Sequence, residues 1–325
     1  MISYSLIMVI TIIPLLIYAF LLYLSENLIL KYISKYSKYY SSWPEYYLLI
    51  YTAGIASGLQ AFLPGLAVVL NGNPKLAYYF QLYNVVLDYT ITLGTFILGF
   101  NFNEKLIDSN ILAFITIALI AQIIVLIFKE INFWMGAILY IIFLLITIYI
   151  FYRYRKKDQT KVEYKDSFYE YFKALVFALE IALAVSIIYI GGNILNNIAN
   201  TFQSLGLSIP LIGYVISLIL FTLPDILYGH ISWFKKKDLN ISIASITGEE
   251  LSELTLFIGI IAMINPIIFG PSDIIPIISS MSAIYLSILI LYLFSYKGRI
   301  PRWIGIILIS LGIILGFING IANIS

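Results

Sequence analysis

The feature that most limits what this chain can fold into is the spacing of its polar breaks. From Tyr4 to Ile321, apolar runs of about 20 residues or more follow one another with only short charged interruptions. At about 1.5 Å per residue, a helix of that length crosses the roughly 30 Å hydrocarbon core of a bilayer. Charged residues make up 11% of the chain and hydrophobic residues 61%. A soluble domain carries roughly 25% charged residues, so this chain has too little charge to cover a surface facing water. The predicted class is an all-α polytopic membrane protein.

Ten spans are predicted: Tyr4–Leu30, Tyr46–Leu70, Pro74–Phe100, Ile111–Phe128, Phe133–Phe151, Phe168–Ile194, Ile209–Trp233, Asn240–Phe269, Ile275–Phe294 and Trp303–Ile321. The first begins with no basic residue before it and exceeds a signal-peptide core, so it is expected to be a retained span. The first and sixth are longer than a bilayer requires, and Gly191-Gly192 is the expected bend in the sixth. With this count, all but two of the 19 basic residues fall on one side of the membrane, leaving only Lys75 and Lys129 on the other. The positive-inside rule then makes the rich side cytoplasmic and puts both termini outside the cell membrane. Trp43, Trp134, Trp233 and Trp303 all fall at predicted span ends, where an aromatic belt lies. There is no cysteine, which removes disulfides and thiolate metal sites.

One basic linker, Arg153–Ser167, divides the chain into a first five-helix repeat over residues 1–152 and a second over residues 168–325. It reads as a stop-transfer loop on the cytoplasmic side, with contact to anionic lipid as the alternative. The halves resemble each other. FLPGLAVVLNGNPKLAYYFQLYNVVLDYTITLGTFILGF starts at Phe62, and TLPDILYGHISWFKKKDLNISIASITGEELSELTLFIGI starts at Thr222. Each has Leu-Pro within a span, a polar turn, a helix with acids at its middle and then a glycine, Gly94 or Gly259. Pro64 aligns with Pro224 and Asp88 with Glu253. An odd number of spans per half makes the copies face opposite ways, an inverted repeat that places an ion site at the midplane.

These segments resemble the calcium/cation antiporter superfamily, which includes sodium/calcium and calcium/proton exchangers. Its two repeats carry Gly-Thr-Ser-x-Pro-Glu on one helix and Gly-Ser-Asn-x-x-Asp or -Asn on the next. The resemblance implies that Asp225 stands for the second-repeat Pro-Glu carboxylate and Thr222 for a motif hydroxyl. It also implies that Glu253 stands for the last motif's aspartate, Glu249 for its serine, and Asp88 and Asn84 for the first-repeat pair. The chain departs from the pattern at Gly65, where the first-repeat glutamate would be. Ala61, Phe62 and Phe221 replace hydroxyl residues that belong to the family's sodium sites. That weakens the case for sodium coupling more than the case for cation binding. Glu249 is expected to substitute in space for the acid missing at Gly65.

Depth gives the acids their meaning. Asp225 is about 16 residues into its span, Asp88 about 14, and Glu249 and Glu253 about 9 to 13, so all lie near the bilayer centre. An ionised carboxylate there costs about 2.5–3.5 kcal/mol on insertion scales. No lysine or arginine lies deep in any predicted span, and the single histidine, His230, is nearer the cytoplasmic end. The remaining neutralisers are protons and bound cations. Glu249 and Glu253 are i, i+4 on one helix face, and like charges that close favour sharing a proton until a divalent ion displaces it. With Asn84, Thr222, Thr247 and Ser252 they form an oxygen-rich set suited to Ca²⁺, Mg²⁺, Mn²⁺ or Na⁺ and unsuited to zinc or copper. Helix breaks at Pro64 and Pro224 would add backbone carbonyls.

Other residues stay open at this stage. Glu250 is either a helper ligand or a partner for a polar group, and Glu180 a protonated structural acid or a transport residue. His230 is an interfacial residue or a proton relay. Asparagines 193, 196, 197 and 200 line a vestibule or bond between helices. The function expected is a transporter rather than an enzyme: a cation antiporter moving calcium, or another oxygen-preferring ion, against protons or sodium. No resident cofactor and no nucleic-acid partner are expected; the partners are inorganic cations and the lipid bilayer. A relative that binds ions without transporting them is one alternative. A metal-dependent intramembrane prenyltransferase is another, since Asn84-x-x-x-Asp88 and Glu249-x-x-x-Glu253 faintly match its paired acidic motifs.

Overall fold

The computed structural model describes residues 13–14, 16–21, 45–100, 109–154, 186, 189–227, 230, 248–295 and 300–321. Most of the first and sixth predicted spans lie outside the described residues. So do nearly all of the basic linker, the start of the eighth span, and Trp43, Glu180, Trp233 and Thr247. Among the described residues the chain is helical nearly throughout. In order come α1 (Glu45–Leu70), α2 (Pro74–Gly99), α3 (Ser109–Phe128), α4 (Phe133–Tyr154), α5 (residues 189–204), α6 (Ile209–Leu227), α7 (residues 248–264), α8 (Pro271–Ser295) and α9 (Arg302–Ile321).

Helix α2 is the axis of the arrangement. Every residue from Leu76 to Leu87 is buried, which marks a helix enclosed by protein on all sides. Helices α1, α6, α7 and α8 pack directly around it. The outer helices keep an apolar face uncovered, including Ile117, Ile120 and Ile124 of α3 and Ile138, Ile141 and Leu145 of α4. Such a face suits contact with lipid tails.

The two halves interlock through glycines. On α2, a Cβ placed at Gly94 would lie 3.0 Å from the carbonyl oxygen of Gly305 on α9. On α7, a Cβ at Gly259 would lie 2.8 Å from the carbonyl of Gly136 on α4, and one at Gly136 would lie 2.6 Å from that of Gly259. Gly94 and Gly259 are the two glycines matched by the sequence repeat. Each lets the acid-bearing helix of one half cross the last helix of the other backbone to backbone, as small residues do between membrane helices. Replacing Gly259 with alanine is expected to destabilise the protein by about 1–3 kcal/mol, because backbone rather than a flexible side chain must move. Gly99→Ala meets only the His230 ring at 3.5 Å and is expected to stay within about 0.5 kcal/mol of wild type. Thermal unfolding in detergent compares the two.

Several sequence expectations need correction. Pro64 does not break its helix, since α1 runs unbroken through it. Pro224 also lies within a continuous helix, preceded at once by a wide π-helical turn over Leu218–Thr222. Widening the turn there accommodates the ring and the missing N–H. The eighth span was expected to reach Phe269 but ends at Ile264. Pro266 biases the preceding Asn265 towards extended backbone, found at φ −146° and ψ 119°. Ile267–Ile268 then pairs antiparallel with Glu130–Ile131.

The sixth span was expected to end at Ile194, yet the helix continues to residue 204. Its asparagines bond the turn between α1 and α2: Asn71 Nδ2 donates to Asn193 Oδ1 at 2.8 Å and Asn73 Nδ2 to Asn196 Oδ1 at 2.6 Å. Of the two readings, Asn193 and Asn196 show the bonding one. Gly191 and Gly192, the expected bend, lie inside the helix. They let it close onto the Tyr18 ring and onto Pro64 and Ala67.

Candidate functional site

Three helices bring carboxylates together. Asp88 comes from the middle of α2, Asp225 from the residue after Pro224 in α6, and Glu249 from α7. One carboxylate oxygen from each lies within 4.8 Å of the others. Two ligands of a Ca²⁺ ion at 2.3–2.6 Å stand at most about 5 Å apart, so this spacing fits one shared ion of that size. The group is enclosed: Asp88 is 0% exposed, Glu249 3% and Asp225 8%.

Local backbone geometry sets up each donor. Wide π-helical turns occupy Asp88–Thr92 on α2, Leu218–Thr222 on α6 and Ser252–Phe257 on α7. One therefore begins at Asp88, one ends three residues before Asp225, and one contains Glu253. Such turns shift the side-chain register and leave carbonyls without their usual amide partner, and they recur at functional sites. In α7 the Leu254 carbonyl accepts from Gln122 Nε2 of α3 at 2.7 Å. Thr92 Oγ1 donates to Asp88 Oδ1 at 2.8 Å, fixing that carboxylate.

Asn84 and Glu253 attach to the group from one side. Asn84 Nδ2 donates to Glu253 Oε1 at 2.9 Å and to Glu249 Oε1 at 3.3 Å. Thr222 is buried, but its hydroxyl turns back to the Ser217 carbonyl at 3.4 Å. Ser252 likewise donates to Gly248 of its own helix at 3.1 Å. Of the candidate residues, then, Asp88, Asp225 and Glu249 converge, Asn84 and Glu253 adjoin them, and Thr222 does not reach them by any described contact.

Glu249 lies against α1. A Cβ at Gly58 would be 3.5 Å from its Cγ, and it faces Asp225 rather than lipid. Glu250 is also inside, 0% exposed, within electrostatic reach of Asp88, Glu253, Glu249 and Asp225. Neither of its oxygens has a hydrogen-bond partner among the described residues.

Rings stand at two of the three positions, Ala61, Phe62 and Phe221, where the family pattern has hydroxyls. Phe62 stacks on Phe257 of α7 with centroids 4.5 Å apart, and Phe221 meets Phe80 of α2 edge-on at 6.2 Å. Each pair joins the proline helix of one half to the acid-bearing helix of the other. His230 is set between Phe96 and Phe100, its Nδ1 2.8 Å from the Ile226 carbonyl.

Among the described residues the one ion pair is away from this centre. Lys75 Nζ is 2.8 Å from Asp273 Oδ2, and the same carboxylate accepts from Tyr79 Oη at 2.8 Å and the Gly270 amide at 2.7 Å. Asp273 falls two residues before Ile275, where the sequence predicts the ninth span to start, and the helix in fact begins at Pro271. Its position in the first turn of a helix, where carboxylates are favoured, was the available signal. Gln122 was also passed over, although it is the one amide side chain in the apolar middle of its span.

Comparison with known proteins bears on this geometry. Residues 176–318 match the family described as sodium/calcium exchanger protein. No curated protein matches the chain as a sequence. Among solved structures, the sodium-calcium exchanger NCX_Mj soaked with 10 mM Na⁺ and zero Ca²⁺ matches at TM-score 0.63 and 15% identity, over 94% of this chain and 97% of that one. The same exchanger soaked with 100 mM Na⁺ and 10 mM Sr²⁺ matches at TM-score 0.61 and 16% identity, over 94% and 97%. At that identity the likeness establishes the fold.

Proposed function

We infer that this member of the calcium/cation antiporter superfamily, a multi-pass membrane cation antiporter, exchanges a divalent cation, calcium first, for protons. The observation that carries the reading is the convergence of Asp88, Asp225 and Glu249 oxygens within 4.8 Å at a buried centre. Three carboxylates give the ion charge and hard oxygen ligands, and Asn84 and Glu253 adjoin the proposed set; Thr222 joins it only if its hydroxyl turns away from the Ser217 carbonyl. Glu249 supplies the acid that Gly65 lacks.

Sodium is the less favoured counter-ion because phenylalanine pairs stand where motif hydroxyls would be, and a ring offers no oxygen ligand. Protons need only the carboxylates that the divalent ion vacates. In the proposed topology both termini are outside, the linker is cytoplasmic, and residues 1–152 and 168–325 rock about the site as inverted repeats.

Purified protein in vesicles tests this. An imposed pH gradient is expected to drive Ca²⁺ uptake that an equal Na⁺ gradient does not. Uptake driven by Na⁺ alone would replace protons with sodium as the counter-ion. Ca²⁺ binding with no flux under either gradient would make the chain a binder rather than an exchanger. Product formation from a prenyl diphosphate would turn the reading to the intramembrane enzyme.

A further inference from the structure

Gln122 of α3 is 0% exposed, and its amide nitrogen donates to the Leu254 carbonyl of α7 at 2.7 Å. That carbonyl can accept because of the wide turn around it. In a regular helix the Ile258 amide would bond it. Here the Ile258 amide bonds the Glu253 and Thr255 carbonyls on either side and passes over Leu254. Leu254 is also 0% exposed, so bulk water does not reach the gap. The other end of the glutamine, Oε1, is buried with no hydrogen-bond partner among the described residues. An unmet buried oxygen is costly, and the apolar residues that make up the rest of this stretch of α3 avoid that cost. What glutamine offers over them is the donor.

The other half has the same gap and no such donor. At the end of the α2 turn the Leu93 amide bonds the Asp88 and Thr90 carbonyls and passes over Tyr89. The register that pairs Asp88 with Glu253 and Gly94 with Gly259 also pairs Tyr89 with Leu254, and Gln122 with Ser287 of α8. Helix α3 packs on the α7 turn and α8 on the α2 turn, so the two residues hold matching places. Ser287 is buried, its side chain is too short to copy the glutamine, and its hydroxyl has no partner among the described residues. The bond from across the repeat therefore serves α7, the helix that carries Glu249 and Glu253.

We propose that Gln122 is a positioning residue for the cation centre: it holds the wide turn of α7 open and so fixes Glu253 against Glu249 and Asn84. The proposal rests on reading the three converging carboxylates as a cation site. Glu249 precedes the turn, Glu253 lies in it, and Asn84 Nδ2 reaches both, at 3.3 and 2.9 Å. Without the glutamine donor, the buried Leu254 carbonyl regains a partner when the Ile258 amide returns to it. That closes the turn to the regular register and rotates Glu253 relative to Glu249. Asn84 then loses one of its two carboxylates, and Glu249, a member of the converging group, is held less firmly.

Leu254-Thr255 is the only Leu-Thr step in the chain, so carbonyl-¹³C leucine combined with ¹⁵N threonine marks this one peptide bond for NMR of the full chain in detergent. Gln122→Met keeps the length of the side chain and removes the donor. Expected are a shifted Leu254 carbonyl resonance and Ca²⁺ binding, by calorimetric titration, weakened about tenfold, the lower end of what outer partners of metal ligands contribute. Gln122→Asn keeps an amide that falls one carbon short. It should lose affinity in the same direction, and it carries the test should the methionine variant fail to fold. Ser287→Ala should bind Ca²⁺ as wild type does. A Leu254 resonance that neither Gln122 variant moves, or one that moves while Ca²⁺ affinity stays at the wild-type value, would overturn this inference and leave the function intact. Wild-type protein that binds no Ca²⁺ would overturn the reading of the centre, and this inference with it, even where the resonance shows the Gln122 bond made.

Discussion

Asp225→Asn is expected to weaken Ca²⁺ binding by at least about 100-fold and to reduce exchange to background. Removing even an outer-shell partner of a metal ligand costs about 10–100-fold, and here a charged ligand itself is lost. The substitution keeps the shape of the side chain and one carbonyl oxygen, so the effect isolates the charge. Asp225 also holds a position that its neighbours cannot cover. It is the one carboxylate of the three contributed by α6, whereas α7 supplies Glu249, Glu250 and Glu253 and α2 supplies Asp88. Calorimetric titration with Ca²⁺ and vesicle flux measure the two effects separately. A loss smaller than tenfold in binding would remove Asp225 from the site. Combined with Asp88→Asn, the penalty should fall well short of the sum of the single losses, because ligands of one ion act as a unit.

The parts of this site that the sequence made legible are those fixed by depth and order. Acids at mid-span, the proline, turn, acid and glycine order in both halves, and the absence of deep basic residues all come from position along the chain. Gly94 and Gly259 were visible as repeat positions, but their use at backbone crossings depends on Gly305 and Gly136, which the repeat comparison did not include.

The wide turns at Asp88–Thr92, Leu218–Thr222 and Ser252–Phe257 had no sequence signal beyond Pro224. They arise where packing and buried polar groups re-register a helix, a tertiary effect. Pro64 misled in the opposite direction, because α1 continues through it as one helix. Asn265-Pro266 was legible as a helix stop and was outweighed by the surrounding apolar run.

Glu250→Met is expected to raise the stability of the cation-free protein by about 1–3 kcal/mol, a gain of a few degrees in melting temperature. With no cation present, only a proton neutralises Glu250, and a buried carboxyl group without a hydrogen-bond partner still costs about 1–3 kcal/mol. Glu250 is 0% exposed, its two oxygens lack partners among the described residues, and four other acids lie within electrostatic reach. Methionine is unbranched and of similar length, and its thioether tolerates an irregular pocket, so the exchange removes the charge without opening a cavity.

A bound divalent ion changes the balance, because it is attracted to the same carboxylate that the apo protein must repel. The substitution is therefore expected to lower Ca²⁺ affinity roughly tenfold or more while stabilising the empty state. Ligand at about 100 times its dissociation constant stabilises a protein by about 2.7 kcal/mol, so the Ca²⁺-induced rise in melting temperature at a fixed concentration should shrink in the variant. Glu250→Gln, which removes the charge but keeps an unbonded polar group, should fall between methionine and wild type in the cation-free state. Paired melting curves with and without Ca²⁺ decide the matter. A lowered cation-free melting temperature in Glu250→Met would mean that Glu250 is a satisfied structural acid, and that the negative potential of the centre is spread over fewer groups than this arrangement requires.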